Sequence, residues 1–145
     1  MIFTFPSDTA DSIDAIRGAI GRDVTFSIPT ISACSVCTLD PITNTSTDSF
    51  CTTCSGEYWI ETYTPVVVSA HVTWGYSEQL GWVTGGQLAE GDCRVQIKYT
   101  TVNLNAVDTA KFVTVDGKKL TVIKKILRGV KQLNRILVDL KELDE

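Results

Sequence analysis

Alternating apolar and polar residues dominate the middle of the chain, and this period of two predicts β-strands with one buried face. In GDCRVQIKYT every second residue from Cys93 to Tyr99 is apolar, and the residues between are polar. In PVVVSAHVTW every second residue from Val66 to Trp74 is likewise apolar, and Ser69, His71 and Thr73 share the other side. Both segments therefore predict strands, and Cys93 is expected to act as a small buried apolar residue.

The N-terminal part of the chain begins with a helix signal. Ser7 and Asp8 can cap the segment TADSIDAIRGAI, whose isoleucines and Ala19 fall on one face, and Gly21 is expected to end the helix. The segment RDVTFSIPT that follows predicts a strand, which we expect Pro29 to end.

Glycines indicate two further turns. GYSEQLGWVTGGQLAEG contains five glycines and predicts a loop or a short hairpin. In KFVTVDGKKLTVI, Asp116 and Gly117 suit a type I′ turn between two runs of good strand formers, so this segment predicts a hairpin.

Two periods compete in the C-terminal segment ILRGVKQLNRILVDLKEL, residues 126–143. Val130 and the leucines recur at helical spacing, whereas residues 136–141 also alternate as in a strand. Lys, Leu and Glu favour a helix, but Gly129 favours a break. We predict a turn around Arg128–Gln132 followed by a final strand.

These elements predict a mainly β fold within a single domain, residues 1–145. We expect a small β-barrel or sandwich of six or seven strands with one N-terminal helix. Residues 32–56 are expected to form an insertion between two strands.

The predicted insertion contains CSVCTLDPITNTSTDSFCTTC, residues 34–54, which is rich in Thr, Ser, Asp and Asn. Between its second and third cysteines the sizeable apolar residues are Leu39, Ile42 and Phe50. Such a segment cannot bury enough apolar surface to offset the entropy of ordering it. Something other than an apolar core must hold its conformation.

Two Cys-x-x-Cys pairs, Cys34 with Cys37 and Cys51 with Cys54, are separated by thirteen residues. In a reducing compartment this pattern favours a structural Zn²⁺ site, because zinc prefers four tetrahedral thiolates. Two disulfides or free thiols remain as alternatives. A catalytic zinc is not expected, because four sulfurs leave no coordination position for water. Metal binding would supply the folding free energy that the segment lacks.

Composition is that of an ordinary soluble domain, with 43% hydrophobic residues and a net charge of −4. No apolar run reaches the ~18 residues that a membrane-spanning helix needs. The N-terminus lacks the basic and apolar regions of a secretory signal, so we expect the protein to reside in the cytosol.

Basic residues are concentrated in one segment. Lys111–Arg135 contains eight Lys or Arg residues and one acidic residue, Asp116, whereas the first seventy residues are acidic. A basic stretch of this kind can contact nucleic acid, contact a copy of the same chain, or form a solvated surface.

Catalytic motifs are not apparent. His71 is the sole histidine, falls on the polar side of its strand and is expected to be a surface residue. The sequence has neither a phosphate-binding loop nor a dinucleotide-binding glycine motif. We therefore expect a protein that is not an enzyme.

Two segments, GQLAEGDCRVQIKYT and VTVDGKKLTVIKKILRGVKQLNRILVDLKE, place a Gly-Asp strand before an Asp-Gly-Lys hairpin and an end strand that contains Asn-Arg-Ile. This order, over residues 60–142, resembles the small β-barrel head-closure proteins of tailed bacteriophages, also called stoppers or head–tail connectors. The cysteine loop resembles zinc-binding insertions of some phage virion proteins, although the simplest stoppers lack it.

The resemblance implies a structural virion protein of the phage neck, assembled in the bacterial cytoplasm. It would form a sixfold or twelvefold ring that joins head to tail and helps to retain packaged DNA. Its partners would be copies of itself, the portal or adaptor, and neck proteins on the tail side. Candidate interaction residues are Lys118, Lys119, Lys124, Lys125, Leu39, Ile42 and Phe50.

Two rival functions remain open. A zinc-ribbon module could bind nucleic acid, although the cysteine loop contains Asp40 and Asp48 and no Lys or Arg. A tail-terminator-like ring protein would share the barrel and the ring but act on the tail side. The cysteine loop could likewise be a rigid support or a docking element.

Overall fold

The computed structural model describes residues 8–75, 92–130 and 132–143. Two helices, α1 and α2, span Thr9–Ile20 and Thr101–Thr109. The strands are β1 Arg22–Ala33, β2 Leu39–Asp40, β3 Thr45–Ser46, β4 Trp59–Trp74, β5 Cys93–Lys98, β6 Phe112–Val115, β7 Lys118–Val130 and β8 Gln132–Glu142. The loop or hairpin predicted after Gly75 falls on residues 76–91, outside the described residues.

Six strands close into a barrel in the order β1-β4-β5-β8-β7-β6, and β2 and β3 form a separate two-stranded sheet. The described registers are antiparallel: Val95 pairs with Val138 between β5 and β8, and Phe26 pairs with Val113 where β6 meets β1. The predicted mainly β fold with an N-terminal helix is therefore confirmed, and its architecture is a barrel.

The core lies inside the barrel, where alternate strand residues point inward. The predicted inward faces are confirmed, because Cys93, Val95 and Ile97 are fully buried and the even positions of β4 pack on the same cluster. The largest fully buried side chains are Phe26, Ile97, Leu120, Ile136 and Leu140. Burial of this much apolar surface is the main stabilising term of the fold.

The predicted turn at Asp116-Gly117 and the predicted final strand are confirmed. The second predicted turn, around Arg128–Gln132, is placed too early, because β7 continues to Val130, and residue 131 lies outside the described residues. Asp116 and Gly117 have φ values of 51° and 79°, as a type I′ turn between β6 and β7 requires. Strands β7 and β8 pair as a hairpin in which Gly129 is opposite Leu133. A Cβ atom at Gly129 would lie 1.9 Å from the carbonyl oxygen of Gln132, so the close approach of the two strands requires glycine.

The prediction that Pro29 ends the first strand is wrong, because β1 continues to Ala33. The described register of β1 with β6 reaches only Ser27. Pro29 therefore lies where one side of β1 is unpaired in that register, and proline is tolerated at such strand edges.

The predicted helix and the glycine that follows it are confirmed, but its apolar face is not its buried face. Ile16 and Ile20 are 62% and 55% exposed, whereas Arg17 is the buried residue of α1.

Helix α2 had no counterpart among the predicted elements. Its N-terminal cap is Thr100, whose hydroxyl accepts a hydrogen bond from the backbone N–H of Asn103.

Residues Pro29–Thr64 form a compact unit of their own, distinct from the rest of the chain. We call this segment the cysteine unit, and it contains the predicted insertion at residues 32–56. Within it the two strands that lead to the cysteines are joined by side-chain hydrogen bonds, from Thr62 to the carbonyl of Thr30 and from Ser32 to the carbonyl of Ile60.

Candidate metal centre

The structure brings all four predicted cysteine ligands together. The Sγ atoms of Cys34, Cys37, Cys51 and Cys54 all lie within 4.8 Å of one another. Two of these separations are 3.9 Å, between Cys34 and Cys51, and 3.4 Å, between Cys37 and Cys54. The four cysteines are free thiols rather than disulfides, so the cluster can hold a metal ion.

The sulfur spacing fits a tetrahedral thiolate site. A metal–sulfur bond of about 2.3 Å places two tetrahedral sulfurs about 3.8 Å apart. The observed sulfur–sulfur separations of 3.4 and 3.9 Å bracket that distance. A disulfide would require about 2.05 Å.

Short local turns position the sulfurs. Cys34 directly follows β1, and its backbone N–H donates to the carbonyl of Tyr58 at 2.8 Å. The N–H of Cys51 donates to the carbonyl of Asp48 at 3.2 Å. Glu57 donates to the carbonyl of Cys54 at 3.0 Å, which closes the turn after the last ligand.

Backbone N–H groups favour ionisation of two of the thiols. The pKa of Cys34 is lowered, first by hydrogen bonds from the N–H groups of Val36 and Cys37. For Cys54 desolvation is the largest influence and opposes ionisation, but N–H groups of Tyr58 and Gly56 and neighbouring thiols outweigh it and lower its pKa. A thiolate is the form that binds a metal ion.

Cys37 differs from Cys34 and Cys54. Its side chain is hydrogen-bonded to Ser46, which favours ionisation, yet desolvation and the other three sulfurs raise its pKa to about 12. Four thiolates at this spacing repel one another, so a cation is needed to keep all of them ionised.

Sequence reasoning missed Gly56, which lies two residues after the last cysteine. Its φ is +85°, and a Cβ atom there would lie 2.8 Å from the carbonyl oxygen of Ser49. Its own carbonyl accepts from the N–H of Ser46 on β3 at 3.0 Å. The glycine itself is visible in the sequence, in the Cys54-Ser55-Gly56 segment, and is the signal that could have identified this turn.

The interior of the cysteine unit consists mainly of sulfur. The buried residues of its cluster are Cys34, Cys51 and Cys54, with Tyr58 and Ile60 partly buried against them. This agrees with the expectation that residues 34–54 have no apolar core of their own.

Ile42 and Phe50 are each 92% exposed. Each follows an aspartate by two residues and is fixed in the same way: its N–H donates to the carboxylate of Asp40 at 2.9 Å or of Asp48 at 3.0 Å. These are Asx turns. The third predicted contact residue, Leu39, is half-buried on β2.

The predicted lysines lie on β7. Lys118 pairs with Glu142 at 3.3 Å and Lys125 pairs with Asp108. Lys119 Nζ lies 4.0 Å from the ring centroid of Phe112. The fourth, Lys124, is exposed and is the register partner of Asp139 on β8.

Charge is divided unevenly between the cysteine unit and the rest of the chain. Residues 29–64 include Asp40, Asp48, Glu57 and Glu61 but no Lys, Arg or His, so they alone account for the net charge of −4. The remaining residues are balanced. A metal with four thiolates would add further negative charge to the cysteine unit.

His71 is half-buried on β4 and opposite Gln96, on the side away from the core. Cys93 is fully buried, as predicted.

Among the helices in the described ranges, none has the length and apolar character needed to span a membrane.

The fold and the site define a six-stranded β-barrel protein that carries a separate unit built around four clustered thiols. No family model, curated protein or solved structure matches this chain.

Proposed function

We propose that Cys34, Cys37, Cys51 and Cys54 hold one structural Zn²⁺ ion. The observation that carries this proposal is the convergence of four sulfurs, all within 4.8 Å, in a unit with no large buried apolar side chain. Zinc and iron both accept four tetrahedral thiolates. Four protein ligands leave no open position, so the ion would stabilise the unit rather than perform catalysis.

The test is metal analysis of the full chain purified under reducing conditions without added metal. We expect about one zinc per chain, a colourless protein, and free thiols that react only after a chelator removes the ion. Substitution with Co²⁺ should give the visible absorption of a tetrahedral thiolate site. A red iron-loaded protein, or oxidised cysteines with no metal, would contradict the zinc assignment.

We further propose that the cysteine unit is a docking element of a structural assembly protein. Ile42 and Phe50 support this because fixed Asx turns hold two large apolar side chains 92% exposed. Exposed apolar groups of this size are typical of contact surfaces. The net charge of −4 on the same unit favours a partner surface that is both apolar and basic.

The occupant that we propose is a second copy of the same chain. Its basic stretch, Lys111–Arg135, contains eight Lys or Arg residues and one acidic residue. Contact between the cysteine unit of one copy and this stretch of the next is heterologous, and a heterologous contact that closes produces a ring. At the edge of this contact, Lys118 and Lys125 would either keep their ion pairs with Glu142 and Asp108 or pair with acidic residues of the neighbouring copy.

The biological role that we propose is that of a neck protein of a tailed phage, a ring that joins head to tail and helps to retain packaged DNA. This rests on the resemblance of residues 60–142 to head-closure proteins, and the barrel fold is compatible with it. The charge of the cysteine unit disfavours the nucleic-acid-binding alternative, because acidic residues without any Lys or Arg beside them repel phosphates.

Ring formation is tested by mass photometry of the full chain, alone and mixed with a portal protein from the same genome. We expect discrete sixfold or twelvefold species. The double variant Ile42→Ser/Phe50→Ser and the charge reversal of Lys118, Lys119, Lys124 and Lys125 to Glu should each abolish them, whereas Val67→Ser, at a residue 59% exposed on β4, should not. A monomer that binds DNA would overturn the assembly role.

A further inference from the structure

A cavity of about 160 Å³ lies beside α1 in the barrel part of the chain. It is lined by Asp14, Arg17 and Gly18 from the helix, Ser69 from β4 and Lys98 from β5. This is about the volume of an engineered cavity that holds benzene, so it has room for a small polyatomic anion or several waters.

Arg17 is the unusual member of this lining. Its side chain is only 6% exposed, and its Nη1 donates to Asp14 at 2.8 Å. Its Nε and Nη2 atoms are buried and have no hydrogen-bond partner among the described residues. Leaving buried donors of a charged group unsatisfied is costly, and native structures rarely do so without a water, an ion or a ligand nearby.

The two unpartnered atoms form one edge of the guanidinium group. Arg94 uses the same edge elsewhere in the molecule, where its Nε and Nη2 donate to both carboxylate oxygens of Asp139 at 2.5 and 2.9 Å. That edge recognises a group with two oxygens at carboxylate or phosphate spacing. In Arg17 this edge has no acceptor within the part of the chain that the structure describes.

The charges around the cavity favour an anion. Lys98 lies 3.2 Å from the second carboxylate oxygen of Asp14, so one acidic residue faces two cations. The lining therefore has one formal positive charge in excess, and the hydroxyl of Ser69 adds a polar group. Gly18 leaves space, since a Cβ atom there would meet nothing within 4 Å.

We propose that this cavity is a binding site for an oxyanion, a carboxylate or phosphate group whose two oxygens accept from Nε and Nη2 of Arg17 beside Lys98. The site is independent of the cysteine cluster and of the assembly role. Its ligand class follows from the unsatisfied guanidinium edge rather than from the overall charge of the chain.

The experiment titrates the full chain with inorganic phosphate and, separately, with acetate at constant ionic strength maintained with chloride. The thermal midpoint and the Arg17 Nε–H resonance in a side-chain ¹⁵N spectrum are followed. We expect saturable binding of at least one anion, with a rise of about 3 °C in Tm at ten times Kd and a shift of the Arg17 resonance. Which anion binds distinguishes a phosphate site from a carboxylate site.

Arg17→Gln should weaken binding at least about tenfold, because it removes a charged two-point contact. Lys98→Gln changes a side chain that is 58% exposed, so we expect it to leave the fold intact and to weaken binding by a smaller factor. Arg22→Gln is the matched control, since Arg22 pairs with Asp116 outside the cavity. The affinity of this variant for the anion should equal that of the wild type. Equal responses of the wild type and both cavity variants to phosphate and acetate, with no shift at Arg17, would overturn the proposal.

Discussion

Arg94 on β5 and Asp139 on β8 are register partners that form a two-point ion pair, with Nε and Nη2 donating to the two carboxylate oxygens at 2.5 and 2.9 Å. Their side chains are only 18% and 11% exposed. The hydrogen bond to Asp139 is the main reason that the pKa of Arg94 is raised. The pair therefore links the side chains of the neighbouring strands β5 and β8 at a position from which water is largely excluded.

Asp139→Asn should destabilise the protein by about 3 kcal/mol, because it leaves the guanidinium of Arg94 buried without its counter-charge. Urea unfolding followed by circular dichroism measures this loss. The exposed pair of Lys118 and Glu142 is the matched control, since these side chains are 53% and 42% exposed. Glu142→Gln should change the free energy of unfolding by less than about 1 kcal/mol. Equal losses for the two variants would refute the distinction between a buried and an exposed pair.

Two hairpin glycines are required for different physical reasons, and substitution can separate them. Gly129→Ala should cost about 3 kcal/mol or more, because its Cβ would lie 1.9 Å from a backbone oxygen of Gln132 and strands β7 and β8 would have to move apart. Gly117 has φ +79° but nothing within 4 Å of a Cβ. Asparagine tolerates the left-handed region, so Gly117→Asn should cost less than about 1 kcal/mol. Thermal unfolding of both variants provides the comparison.

The strands of the barrel could be predicted because alternation is local information. Each inward residue of β5 is followed by an outward polar one, and the pair Asp116-Gly117 specifies its turn independently of the rest of the fold. The C-terminal hairpin is less fully specified by its local pattern. Its leucines also fit a helix, and pairing with β5 on the other side of β8 resolves the ambiguity, which is tertiary information.

The remaining elements depend on contacts that the local sequence does not contain. β1 continues past Pro29 because its partners, rather than its residues, determine where it ends. Helix α2 has a weak amphipathic pattern and is held by burial of Ala106 and Val107 against the barrel core. Burial of Arg17 instead of the neighbouring isoleucines likewise opposes the usual rule for an amphipathic helix.

The cluster of four cysteines was the most predictable feature of the chain, because two Cys-x-x-Cys pairs mark its members directly. What the spacing could not supply is the support around the sulfurs. Gly56 contributes through a left-handed φ, and Ser46 through a hydrogen bond to Cys37 from a strand of two residues. Both depend on the path of the backbone between the pairs.

Replacement of Cys51 and Cys54 by Ser should abolish metal binding and unfold the cysteine unit while the barrel remains folded, since Pro29–Thr64 is a separate compact unit. Limited proteolysis should then cut within residues 29–64, and amide exchange should stay slow in β5 and β8. Cys93→Ala is the control and should retain full metal content. Loss of the whole fold in the double variant would show that the cysteine unit is integral to the barrel.

Gly56→Ala should weaken metal binding without removing a ligand. The new methyl group would lie 2.8 Å from the carbonyl oxygen of Ser49, and the residue would have to hold a φ of +85°. Displacement of its N–H would also remove a hydrogen bond that favours the thiolate of Cys54. By analogy with other supporting residues of metal sites, affinity should fall about 10- to 100-fold in a competition with a zinc chelator. Gly18→Ala, where a Cβ meets nothing, should leave the affinity unchanged.

The buried thiol of Cys93 gives the stability of the barrel a defined alkaline pH dependence. Burial is the main cause that raises its pKa from 9.0 to about 12, with Asp116 adding to the effect. Below about pH 8 the thiol is protonated in both the folded and the unfolded chain and contributes no slope. Between pH 9 and 12 only the unfolded chain releases the proton, so the free energy of unfolding falls as the pH rises.

Comparison with Cys93→Ala isolates this effect, because every other titrating group is common to the two proteins. Between pH 9 and pH 10 the free energy of unfolding of the wild type should fall by about 1 kcal/mol relative to that of the variant. The removed sulfur leaves a small cavity, which costs a constant amount at every pH. Urea titrations at pH 7, 8, 9 and 10 measure the slope. A difference that stays constant over this range would mean that the thiol of Cys93 ionises equally easily in the folded and the unfolded protein, contrary to its complete burial between β4 and β8.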